Sequence, residues 1–148
     1  MRALLVALML TVASQAGAEC GNFCDYDWWK SATEADVQAE LGSDADVMAR
    51  TKDGWTPLHY AAGFGKPANI QALLAAGADV MARDEFGRTP LHWAAQYGTP
   101  ATIQPLLDAG ADAKAKDKEG KTPWGLAQEN EKLKGTKGYW ALNDAQYN

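Results

Sequence analysis

A stretch of seven residues occurs twice in this chain, as Thr56-Pro57-Leu58-His59-Tyr60-Ala61-Ala62 and as Thr89-Pro90-Leu91-His92-Trp93-Ala94-Ala95. The two copies lie 33 residues apart, and a third, altered copy, Thr122-Pro123-Trp124-Gly125-Leu126-Ala127, follows at the same spacing. Residues 53–85 and 86–118 agree at 20 of 33 positions, so the period belongs to the whole segment rather than to a short motif. A period of this length means stacked units, none able to bury a core alone; each closes its apolar face against its neighbour.

Residue types within the unit spell two helices and a crossing. Thr56 and Thr89 stand where a hydroxyl can accept a hydrogen bond from the first turn of a helix. Pro57 and Pro90 follow at the first helical position, where a missing N–H is harmless. Leu58, Ala61 and Ala62 recur at helical spacing, the alanines allowing close approach of the next helix. Pro67 and Pro100 open a second helix, with Thr99 as the expected cap of the later one. Ile70, Leu73 and Leu74, and Ile103, Leu106 and Leu107, supply its apolar face. Gly77 and Gly110 end it. Residues 80–87 and 113–120 then cross to the next unit as hairpin-like fingers.

The paired motifs Gly-x-Thr-Pro-Leu-His-x-Ala-Ala and Leu-Leu-x-x-Gly-Ala-Asp, each present twice at the right separation, make the chain resemble the ankyrin-repeat family. The resemblance implies an all-α repeat solenoid of helix-turn-helix units and fingers, closed by atypical capping units. It divides the chain into an N-terminal cap (19–52), two full repeats (53–85 and 86–118) and a degenerate repeat with a C-terminal cap (119–148). In the cap, Thr33 and Asp36 have capping-box spacing, Val37 and Leu41 fall in register with Ile70 and Leu74, and Trp28 and Trp29 close the end of the core. Several positions depart from the pattern. Pro105 lies inside a helix, where it removes a backbone bond and can kink the chain. Asp44, Met48, Met81 and Lys114 replace the residues expected there. After Asn130 the period dissolves until a short helix around 139–142.

Residues 1–18 read as a secretory signal: Arg2, an apolar run from Ala3 to Ala13, and the small residues Ala16-Gly17-Ala18. That run is about half of the roughly 20 apolar residues needed to span a bilayer. Glu19, just before Cys20, departs from the pattern of lipid-modified cysteines, so an exported protein, periplasmic or secreted and off the membrane after cleavage, is expected. The alternative is an N-terminal helix of the mature fold. Cys20 and Cys24 are the only cysteines. An even pair in an exported chain reads as a disulfide, and Cα atoms about 6 Å apart can be bridged if the segment turns. A redox pair more commonly has Cys-x-x-Cys spacing, and free or intermolecular thiols are the further alternative.

With 14 Lys and Arg against 19 Asp and Glu, the net charge is −5, and no basic stripe offers itself to phosphates, which excludes nucleic acid as a partner. His59 and His92 are the only histidines. They occupy equivalent positions on units whose helices pack roughly 8–10 Å apart, whereas zinc needs each donor at about 2 Å. The resemblance gives both a structural role with Thr56 and Thr89, bonding within the turn and to neighbouring backbone. Carboxylates at Asp79, Asp84, Asp112 and Asp117 repeat with the unit, and no nucleophile, phosphate or zinc motif is present. Neither catalytic residues, a metal nor a cofactor is expected.

The resemblance implies a protein partner bound along a concave face of finger tips and first helices. Period-breaking positions on that face are Trp55, Phe64, Phe86, Arg88, Gln96 and Tyr97, types enriched at binding hot spots. The period sets Trp55 beside Arg88 and Phe64 beside Tyr97, with Lys52, Asp53 and Glu85 at the rim. The expected protein is monomeric on its own and non-enzymatic, binding an unidentified partner outside the cytoplasm. The alternatives are a protective, inhibitory or immunity factor for one exported enzyme or toxin, and a small thiol-disulfide redox protein.

Overall fold

The structure, a computed structural model, describes residues 18–43 and 45–148. All but the last residue of the expected signal, and Asp44, lie outside the described residues. A short 3-10 segment, Ala18–Cys24, leads into α1 (Tyr26–Ser31) and α2 (Glu34–Gly42), then α3 (Pro57–Phe64), α4 (Pro67–Ala75), α5 (Pro90–Tyr97), α6 (Pro100–Asp108), α7 (Pro123–Ala127) and α8 (Lys137–Ala145). The odd-numbered helices pack in one row and the even-numbered in a second, with α3 on α4, α5 on α6 and α7 on α8. Among the described residues there is no strand. This is the all-α repeat solenoid that the resemblance implies, built of the stacked units that the period predicts.

Helix starts follow local chemistry. Asp25 Oδ1 accepts from the Asp27 and Trp28 N–H groups at 2.8 and 3.2 Å. Thr33 and Asp36 close a capping box at the start of α2, the Thr33 N–H donating to Asp36 Oδ2 at 2.8 Å and the Asp36 N–H to Thr33 Oγ1 at 3.2 Å. The Thr33 N–H and the Thr33 hydroxyl, both donating to the carboxylate, hold the Asp36 carboxyl below its ordinary range. Pro57, Pro67, Pro90, Pro100 and Pro123 each take the first helical position. Thr99 occupies the cap position of α6 by its backbone alone, its hydroxyl making no cap bond. Pro105 is accommodated: α6 runs on past it to Asp108.

The core runs the length of the stack. Leu58, Ile70, Leu73, Leu91, Ile103 and Leu106 are fully buried, with Leu74 and Leu107 packed at its margin. The N-terminal end is closed by aromatics: of the expected pair Trp29 is fully buried and Trp28 packs at the margin, and Phe23, also fully buried, stacks on Trp29 at 5.7 Å while its carbonyl accepts from Trp29 Nε1 at 2.8 Å. A Cys20–Cys24 disulfide, with Cα atoms 5.7 Å apart, closes the 3-10 segment. Glu40 ties that segment to α2 by accepting from the Asn22 backbone and side-chain N–H groups.

Each finger is a tight turn rather than a strand hairpin. Its tip needs positive φ, supplied by Gly54, Gly87 and Gly120 at 79°, 74° and 78°. Adjacent tips are joined by single backbone bonds, Glu85 N–H to Asp53 carbonyl at 3.0 Å and Lys118 N–H to Phe86 carbonyl at 2.9 Å. Two arginines 33 residues apart repeat the link: Arg50 Nη1 donates to the Gly54 and Arg83 carbonyls, and Arg83 Nη1 to those of Gly87 and Lys116. At the positions of Met48, Met81 and Lys114, the preceding Asp46, Asp79 and Asp112 side chains accept from their N–H groups at 2.8 Å and shape the turn.

At the C-terminal end the period persists where the sequence loses it. α8 takes the place of a second helix, packing on α6 and α7. It begins at Lys137, four residues later than the 33-residue step from Pro100. The inserted stretch is anchored by Asn130, whose side-chain N–H groups donate to the Ala95 and Gly98 carbonyls at 3.0 and 3.2 Å.

Candidate functional site

His59 and His92 are fully buried. The Thr56 N–H donates to His59 Nδ1 at 3.0 Å, and the Thr89 N–H to His92 Nδ1 at 3.1 Å. Nδ1 is therefore the acceptor, the proton sits on Nε2, and Nε2 donates to the Arg88 carbonyl from His59 and to the Lys121 carbonyl from His92, both at 3.0 Å. The Thr56 and Thr89 hydroxyls lie 2.9 Å from the same Nδ1 atoms. At Thr122, where Gly125 replaces the histidine, the hydroxyl accepts from the Gly125 N–H instead. Burial holds both imidazoles below their ordinary pKa, against the opposing pull of the carbonyls they bond. Both ring nitrogens of each histidine are thus spent on structure. Among the described residues, no group of three or more His, Cys, Asp or Glu side chains is placed to hold a metal.

Chemistry of another kind gathers between the odd-numbered helices and the fingers. Tyr26 from α1, Tyr60 and Phe64 from α3, and Trp93 and Tyr97 from α5 line a groove of about 500 Å³, closed on the finger side by Trp55, Asp84, Phe86 and Arg88. Phe64 lies 5.6 Å from Tyr97, 5.9 Å from Trp93 and 4.5 Å from Tyr26, ring centre to ring centre. Tyr26, Phe86 and Tyr97 remain 44%, 50% and 42% exposed, so their rings face water. Burial, reinforced by Asp53 and Asp25, pushes the Tyr60 hydroxyl pKa up.

The expected pairing of Phe64 with Tyr97 is present; Trp55 and Arg88 both border the groove, but each is held by other partners. Trp55 packs edge-on to Trp93 at 4.8 Å and to Tyr60 at 5.5 Å, half-buried against the core. Arg88 turns away, donating from Nη1 to Gln96 Oε1 at 2.8 Å, with its Nε 3.4 Å from Asp117 Oδ2. Gln96 is therefore a support for Arg88 rather than a lining residue. Sequence reasoning passed over Tyr26, Tyr60 and Trp93. The last two occupy the free position of the repeated seven-residue phrase, directly after each histidine, which is the signal that marks them.

The match to known families agrees with this architecture. The family model described as Ankyrin repeats (3 copies) matches residues 31–117 and 64–136, well over half of the chain. A comparison with curated proteins found no match. Interlocked Thr-Pro-Leu-His turns, two rows of helices, glycine-tipped fingers and the family match converge: the chain belongs to the ankyrin-repeat family.

Proposed function

We propose that the chain is a non-enzymatic protein-binding module working outside the cytoplasm, and that its partner seats in the aromatic groove. Ankyrin repeats generally mediate protein–protein interaction and are typically non-enzymatic. The observation that carries the reading is three large rings, Tyr26, Phe86 and Tyr97, left exposed around one apolar cavity. Exposed aromatics gathered at one place mark an interaction surface, and aromatic anchors dominate binding energy. Two further observations agree. The histidines have no ring nitrogen free for proton transfer, and a Cys20–Cys24 disulfide suits an oxidising compartment.

The partner is to be captured with the tagged chain from an envelope fraction and its affinity then measured. Tyr97→Ala and Phe86→Ala are expected to weaken binding by about tenfold or more each. Gln71→Ala, exposed on α4 in the other row, leaves affinity unchanged. Wild-type affinity in both groove variants, with circular dichroism intact, rejects the groove as the site.

A further inference from the structure

Asp84 and Asp117 lie one unit apart and are held alike at one oxygen. Asp84 Oδ1 accepts from the Phe86 and Arg88 N–H groups, and Asp117 Oδ1 from those of Glu119 and Lys121, all at 2.9 Å. At the second oxygen they differ. Asp117 Oδ2 has the Arg88 guanidinium beside it. One unit before Arg88 stands Trp55, so the corresponding cation is missing at Asp84. Asp84 Oδ2 accepts from Trp93 Nε1 at 3.0 Å instead. An indole N–H satisfies the hydrogen bond and brings no charge. Asp84 is only 6% exposed, and among the described residues it has no ion-pair partner. Arg50 and Arg83 direct their Nη1 groups at finger carbonyls. A buried carboxylate without a counter-charge is destabilising, and this one lines the same cavity as the rings.

We propose that the groove takes a lysine or arginine side chain of a partner polypeptide, its cation set between Asp84 and the rings of Trp55, Tyr60, Phe64 and Trp93. This rests on the groove being the partner site. Ring faces attract cations, more so where water is excluded, and the aliphatic stem of either residue packs along rings while its head reaches the charge. Arg88 does not oppose the arrangement, because Asp117 meets its charge; the uncompensated charge on the groove wall is that of Asp84. A lysine or arginine side chain joins its cation to an apolar stem that can lie along the rings, which a small ammonium ion lacks, and this favours a polypeptide occupant.

The test selects peptides from a random displayed library on the disulfide-intact chain, with the Tyr97→Ala chain run in parallel. Peptides lost with Tyr97→Ala are then synthesised with Lys or Arg and with Gln at the enriched position, and titrated against wild type and Asp84→Asn. Asparagine keeps an acceptor for the finger turn, and a double-mutant cycle cancels any general loosening it causes. The expected result is one enriched basic position whose replacement by Gln weakens binding about tenfold in wild type and little in Asp84→Asn. Groove-dependent peptides with no basic position, or no coupling in the cycle, overturn the cation inference and leave the groove reading standing. Peptides indifferent to Tyr97→Ala, or none at all, overturn both. Tetramethylammonium chloride quenching the indole fluorescence as effectively as the peptides rejects a polypeptide occupant.

Discussion

His59 Nδ1 accepts a backbone N–H and its Nε2 donates to a carbonyl of the following unit, so a second ring proton has no place without breaking the turn. His92 repeats the arrangement. Both folded pKa values are depressed by burial. As pH falls below the unfolded value near 6.5, the unfolded chain takes up protons while the folded chain lags behind, and stability drops. The slope is at most about 1.4 kcal/mol per pH unit for each histidine, vanishing above about pH 7.5. Urea midpoints are expected to fall between pH 7.5 and 5.5, and a His59→Gln/His92→Gln double variant to be less stable but flatter over that range. An equal slope in the double variant rejects the assignment. The structural role of these histidines was legible in the sequence through the resemblance and their equivalent positions. Their protonation state was not, because it depends on a carbonyl 29 residues away.

Among the elements, helix ends were legible and close approaches were not. Gly77 was readable as the stop of α4 and has φ of +96°, with open space where a Cβ would lie. Gly98, after α5, has ordinary φ of −74° but no room: a Cβ there meets the Ala94 carbonyl oxygen and Thr102 Oγ1 at 2.6 Å and the Ala62 carbonyl oxygen at 2.7 Å. Three contacts this tight, two of them to backbone, outweigh one strained dihedral. Gly98→Ala is expected to cost about 2–3 kcal/mol and Gly77→Ala about 1 kcal/mol, measured by urea unfolding. The reverse order would show that the α5–α6 turn yields easily. The aromatic groove follows the same division. Phe64 and Tyr97 share a repeat position and so were paired correctly from the sequence. Trp55 and Arg88 share one too, but their side chains find different partners, an aromatic cluster and a carboxylate, which spacing alone does not distinguish.

For the whole molecule, energy is passed between neighbours along a line, so what covers a flank matters beyond its size. α8 buries Leu142 completely, and Tyr139 packs 4.4 Å from Trp124 on α7. Ending the chain after Gly135 removes both and bares the flanks of α6 and α7, for an expected loss of about 4–5 kcal/mol. An unchanged thermal midpoint would show that α8 is dispensable. The helix itself was readable from 139–142; its place in the second row was hidden by the four inserted residues. The histidine bonds also run one way only, from each unit to the unit after it. The stack therefore has a syntax: His59 and His92 act as conjunctions, each demanding a following clause, and Gly125 leaves the conjunction out. A copy of residues 86–118 spliced in after position 118 would read correctly, since every histidine would still meet a carbonyl of the clause that follows. The same copy placed behind the Gly125 unit would arrive at a joint without that bond, so lengthening is expected to cost less stability from within than beyond that unit.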